Sequence, residues 1–197
     1  MTDRTTVATA PAPVRWVRGM EEATGIDTLV RQLEPVAKWL TADPGRRDLL
    51  QGKWLGHALH PLLTDLPIGA YTCASLLDLT GGRESRAAAD RLIAVGLLST
   101  PPAVITGLAE WSETARGSRR VGAVHAVSNT AATLAYLASL RARRRDRRAA
   151  GVAWALAGTG ILSFSGFLGA HLVAARKVSS RHPVFDETSD AVVPGAV

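Results

Sequence analysis

One cysteine, Cys73, is all that the 197 residues contain. That excludes an intrachain disulfide and a thiolate metal cluster, and its place in an apolar stretch reads as a small filler. Lysine is almost missing too: of 23 basic residues only Lys38, Lys53 and Lys177 are lysine. The opening twenty residues have no continuous apolar core and already carry three arginines, so no secretory signal is expected there. Also lacking are a phosphate-binding glycine loop, a nucleophile elbow, a CxxCH haem-attachment motif and a zinc-protease helix. Nothing in the chain marks it as a common hydrolase or nucleotide-binding enzyme.

What is abundant is apolar sequence, unevenly placed. Hydrophobic residues make up 47% of the chain and concentrate in four blocks, about 61–79, 92–109, 121–140 and 149–175. Crossing the hydrocarbon layer takes roughly 20 residues of helix, so each block is close to one span. Pro101 and Pro102 interrupt the second, and small residues such as Gly158, Gly166 and Gly169 recur in the fourth, where they permit close helix approach. Trp54, Trp111 and Trp154 stand near block ends, as interfacial tryptophans do. The fold expected is all-α: a four-helix transmembrane bundle over 57–178 with an amphipathic N-terminal helical extension. The other reading is a water-soluble four-helix bundle, for which Ser128, Asn129, Thr130, Thr133 and Tyr136 speak.

Upstream, residues 1–23 show no period and read as a disordered tail. From Ile26 to Leu40 apolar residues recur every three or four positions, which predicts an amphipathic helix bent near Pro35, and Asp43-Pro44 caps a short one behind it. The span 24–56 is thus helical and either packed on the bundle or laid on the bilayer surface; 179–197 is a tail. A net charge of +6 raises nucleic acid as a partner, but the positive charge lies between apolar blocks. RARRRDRR (141–148) reads as a solvated loop rather than a nucleic-acid surface, and no nucleic-acid partner is expected. By itself that run would put both termini outside; eight lysines and arginines before residue 57, with no export signal, favour termini in the cytoplasm.

Histidine carries the chemistry. His57 and His60 precede the first apolar block, His125 lies early in the third and His171 late in the fourth. Four crossings would bring all of them to one leaflet, with Asp65, Glu110 and Asn129 at similar depth. Ionisable groups in a span are costly and usually line a site, although histidine and asparagine also serve as polar glue between helices. Neutral imidazole ligates iron and zinc. A b-type haem would take axial histidines on facing helices, with room made by Gly166 and Gly169. A non-haem iron or zinc held by His60, His125 and His171 competes with it, and a metal-free proton path is a third reading. Asp65 and Glu110 would orient imidazoles or take up protons.

The stretches LGHALHPLLTDLPIGAYTCASLLDL (55–79), TGLAEW (106–111), His125 with Asn129, and SGFLGAHLV (165–173) resemble a bacterial membrane-protein family known as domain of unknown function 2231. The likeness covers about 50–186. It departs at Ala58, Glu110 and Ala170, where the family favours proline, aspartate and glycine, and no departure removes a histidine. The resemblance implies four membrane helices. Because some members are fused to Rieske or cytochrome modules, it also implies redox work, here with a separate Rieske or cytochrome partner. The expectation is a haem- or metal-binding electron-transfer subunit of the cytoplasmic membrane, open to homo-oligomer formation. The alternative is a non-enzymatic scaffold that docks partners around a structural polar site.

Overall fold

In the computed structural model, residues 9–180 and 182 are described. Every regular element among them is helical: α1 (Ala12–Glu22), α2 (Asp27–Thr41), α3 (Pro44–Leu50), α4 (Leu59–Thr80), α5 (Arg86–Trp111), α6 (Arg116–Arg143) and α7 (Arg148–Ala170), which a π turn continues through His171–Ala175. The last four follow the four apolar blocks in number and order. Two stretches, Arg83–Trp111 and Arg148–Ala175, are long and apolar enough to cross a membrane.

Short loops make α4–α5 and α6–α7 two hairpins, and contacts fix their registers. His60 meets Ala103 near one end of the first hairpin, and Tyr71 meets Thr100 further in. In the second, Ser139 meets Gly151, Tyr136 meets Thr159 and His125 meets Ser165, so the partners run in opposite directions. The hairpins adhere tightly within themselves and more sparsely to each other. Where they join, the rings of Tyr71 (α4) and Tyr136 (α6) stack at 3.9 Å between centroids, over Ile93, Ala74 and Ala155. Such stacked pairs add about 0.5–1.5 kcal/mol beyond their buried area. Their polar ends are satisfied, Tyr136 and Ser75 both meeting the Thr159 hydroxyl at 2.9 and 2.7 Å.

One end of the bundle is closed by charge. The Arg143 guanidinium forks onto Asp78 and donates to Asp90 at 2.9 Å, while Arg148 reaches both carboxylates at 2.7 and 2.6 Å. The side chains of Arg143 and Asp78 are 1% and 0% exposed. The run 141–148 is therefore not wholly a solvated loop: its first and last turns feed two arginines inward, because Asp78 and Asp90 at the ends of the other hairpin need partners.

At the opposite end the N-terminal extension packs on the bundle. Helix α2 sets Leu33, Val30 and Ala37 against Trp111 and Ala123. It runs through Pro35 as a single helix, and Asp43 caps α3 by accepting from the Arg46 amide at 2.7 Å. Two corrections follow. The stretch read as disordered contains α1 from Ala12 onward, ordered because Val17 buries against Val121, Leu168 and Leu172; residues 1–8 lie outside the described residues, as do 183–197 of the expected tail. Trp111 is buried, not interfacial; its indole donates to Arg119 O at 2.9 Å, whereas Trp54 and Trp154 are exposed.

Removing one partner of a buried ion pair costs about 3–5 kcal/mol because the other charge is stranded. Asp78→Ala should therefore lower the thermal midpoint of detergent-solubilised protein sharply, and Arg148→Ala, whose side chain is 24% exposed, much less; equal losses would contradict a central role for Arg143 and Asp78.

Candidate functional site

The site is assembled at the end away from the ion cluster. His60 lies in the first turn of α4, where Pro61 removes an amide that would have no helical partner. His60 Nδ1 lies 2.8 Å from the Ala103 carbonyl of α5. A carbonyl only accepts, so Nδ1 carries the proton and Nε2 presents a lone pair. His125 on α6 repeats the arrangement, its Nδ1–H donating to Ser165 O of α7 at 2.8 Å. The Ser165 hydroxyl reaches the carbonyl of His125 itself at 3.1 Å. His125 Nε2 accepts from the Asn129 amide at 3.0 Å, one turn along the same helix.

Helices α4 and α6 stand diagonally across the bundle, so these rings face each other across its middle. Their centroids are 6.5 Å apart and their planes near-perpendicular, at 89°. Glycine allows the close fit. A Cβ at Gly107 would stand 2.8 Å from His60 Cε1, and one at Gly169 3.0 Å from His125 Cε1. Both imidazoles line one cavity of about 400 Å³, within the usual range for small-molecule sites. Its polar groups include Tyr71, Thr100, Glu110 and Asn129, amid apolar side chains such as Ile68, Val104 and Leu162. At its mouth, Ser180 donates from its amide and hydroxyl to Glu110 Oε2 at 2.9 and 3.0 Å. Glu110 Oε1 is buried with no hydrogen-bond partner among the described residues.

Not all of the expected residues arrive there. His57 is exposed in the loop before α4, and its ring Nδ1 lies 3.2 Å from the Ala58 carbonyl. His171 opens the π turn, and its Nε2 lies 3.0 Å from Glu21 Oε1 of α1. A carboxylate accepts, so that nitrogen is a committed donor. Asp65 is exposed and, among the described residues, bonds to no histidine, so it does not take the orienting role expected of it. Gly166 lines the cavity but has open space around it, so only Gly169 fits against a ring. Among the described residues no three of histidine, cysteine, aspartate and glutamate gather as a metal-binding group. The expected ligand trio of His60, His125 and His171 is not formed.

Residues 56–182 match the model of a family described as "Predicted membrane protein (DUF2231)". The chain belongs to this family. The match embraces all four bundle helices and every residue of the cavity named above, while α1, α2 and α3 lie before it. With the two apolar helices, it makes the chain a membrane protein that associates with lipid. No curated protein and no solved structure matches the chain.

Glu21, which no sequence signal marked, anchors the extension beside the site. Burial works to raise its pKa, but hydrogen bonds from Arg176, His171 and Arg18 together outweigh it and hold the carboxylate below its ordinary range. A lowered folded pKa means stabilisation that is complete above the ordinary glutamate value of 4.5 and lost as the pH falls through the folded value. Proteolysis within α1 should accordingly be slow at neutral pH and speed up only in acid below that value. Glu21→Gln should be cut quickly at every pH; an unchanged cleavage profile would show that the carboxylate does not hold α1.

Proposed function

We propose that this chain is a membrane redox subunit that holds a b-type haem, or another histidine-ligated metal, between His60 and His125 and exchanges electrons with a separate partner. The paired imidazole geometry carries this reading. The two ring centres lie 6.5 Å apart, so His60 and His125 would be the residues to hold a group placed between them. Each Nδ1–H is fixed by a backbone carbonyl, the second-shell arrangement that holds a ligating histidine in tautomer and orientation. The mostly apolar lining of the cavity that both rings face supports the reading, since a haem needs an apolar slot.

Such a group, when bound, supplies one-electron transfer. The protein's part is to hold and shield it. Ala103 and Ser165 aim the imidazoles, and the apolar walls keep water out. Asn129 would give up its hydrogen bond to His125 Nε2, and the unpaired Glu110 oxygen offers a place to take up a proton. His57 and His171 are not needed as ligands. In this reading all four bundle helices cross the cytoplasmic membrane, and both termini lie in the cytoplasm. Exposed Leu62, Leu66, Leu76 and Leu79 on α4 and Leu134 on α6 support lipid around the two helices that are less apolar overall.

A non-enzymatic scaffold with a structural polar site is the second reading, and one observation favours it: both nitrogens of His125 are already satisfied by Ser165 and Asn129. Absorption separates the two. Detergent-purified protein should show a Soret band that shifts on reduction, lost in His60→Ala and in His125→Ala but kept in His57→Ala and His171→Ala. Colourless protein with stoichiometric iron or zinc would leave a metal site without haem. Colourless, metal-free protein would refute the redox reading and leave the scaffold.

A further inference from the structure

The end of the bundle remote from the histidines carries a second surface. The α4–α5 turn and the first turns of α5 present Arg83, Arg86 and Arg91; the α6–α7 turn presents Arg141, Arg144, Arg145 and Arg147. All seven are exposed, and none has an ion-pair or hydrogen-bond partner in its side chain among the described residues. Asp78 and Asp90 at the same end are taken by the buried cluster with Arg143 and Arg148. Only Glu84 and Asp146 remain to offset the rim. Several cations at the histidine end are differently placed: Arg120 pairs with Asp27, Arg176 with Glu21 and Lys53 with Asp48.

The neighbours of this rim identify its partner. Directly beyond it, towards the middle of the bundle, stand exposed Leu79 and Leu76 on α4, Leu134 on α6 and Trp154 on α7. Charge next to an apolar belt with a tryptophan at the junction is the profile of a membrane–water boundary. A folded nucleic acid or an acidic protein would match the charge but leave that belt bare. Bilayer lipid with a negative headgroup matches both, acyl chains on the leucines and phosphates against the guanidiniums.

We infer that the arginine rim of the two turns is a binding surface for anionic phospholipid, which gathers around this end of the protein. The surface does not depend on what the histidine cavity holds. The test uses the full chain in neutral detergent, titrated with phosphatidylglycerol or phosphatidylcholine and read by native mass spectrometry. Wild-type protein should retain phosphatidylglycerol in preference to phosphatidylcholine. A variant with Arg141, Arg144, Arg145 and Arg147 each changed to glutamine should bind it roughly tenfold more weakly or worse. A second variant, Arg83→Gln with Arg86→Gln and Arg91→Gln, should also weaken binding, whereas Arg31→Gln with Arg116→Gln at the histidine end should not. All of these side chains are exposed, so the fold is kept. Equal retention of the two lipids by the wild type, or full phosphatidylglycerol binding by both rim variants, would overturn the inference. Tight binding of RNA without lipid preference would assign the rim to nucleic acid instead and overturn it as well.

Discussion

A bundle of apolar helices must satisfy its few buried charges internally, and the cluster of Asp78, Asp90, Arg143 and Arg148 is how this chain does so. It ties the far tips of both hairpins at one place. The Tyr71–Tyr136 stack continues the seam towards the middle. Beyond it lies the cavity that His60 and His125 face.

A cavity beside them would leave imidazoles free to turn, and here they are not. Each ring bonds to the backbone of the other helix in its own hairpin, His60 to α5 and His125 to α7. The rings are therefore aimed by elements that do not carry them. Backbone carbonyls are suited to this, since they can only accept and so determine which nitrogen bears the proton. Gly107 and Gly169 sit on those same helices and let the rings approach. Orientation, tautomer and clearance come from one pair of helix contacts each.

Much of this was legible in the residues. Four apolar blocks gave four helices, and the spacing of histidines between them placed four imidazoles towards one end. Depth could be read from an even count of segments because it depends only on distance along each helix. Facing could not, because which side of a helix meets which neighbour depends on the packing of all four. That is why His60 and His125 converge while Asp65, five residues past His60, is exposed. His171 eluded the reading for a different reason. Its partner, Glu21, lies in a stretch too short and too polar to announce a helix, ordered only by docking on α6 and α7. Arg143 was likewise hidden within a run of arginines, and only a buried Asp78 distinguishes it from its neighbours.

The bond between Glu21 and His171 joins residues 150 apart in sequence. During synthesis the helix that bears Glu21 leaves the ribosome before both helices it docks on, at Val121 of α6 and Leu168 of α7. The bond to His171 must wait until α7 has been made and seated, since contacts between distant residues form only after the intervening chain is in place. The Glu21–His171 bond is thus a late event in assembly, a clasp that shuts once α7 has been delivered.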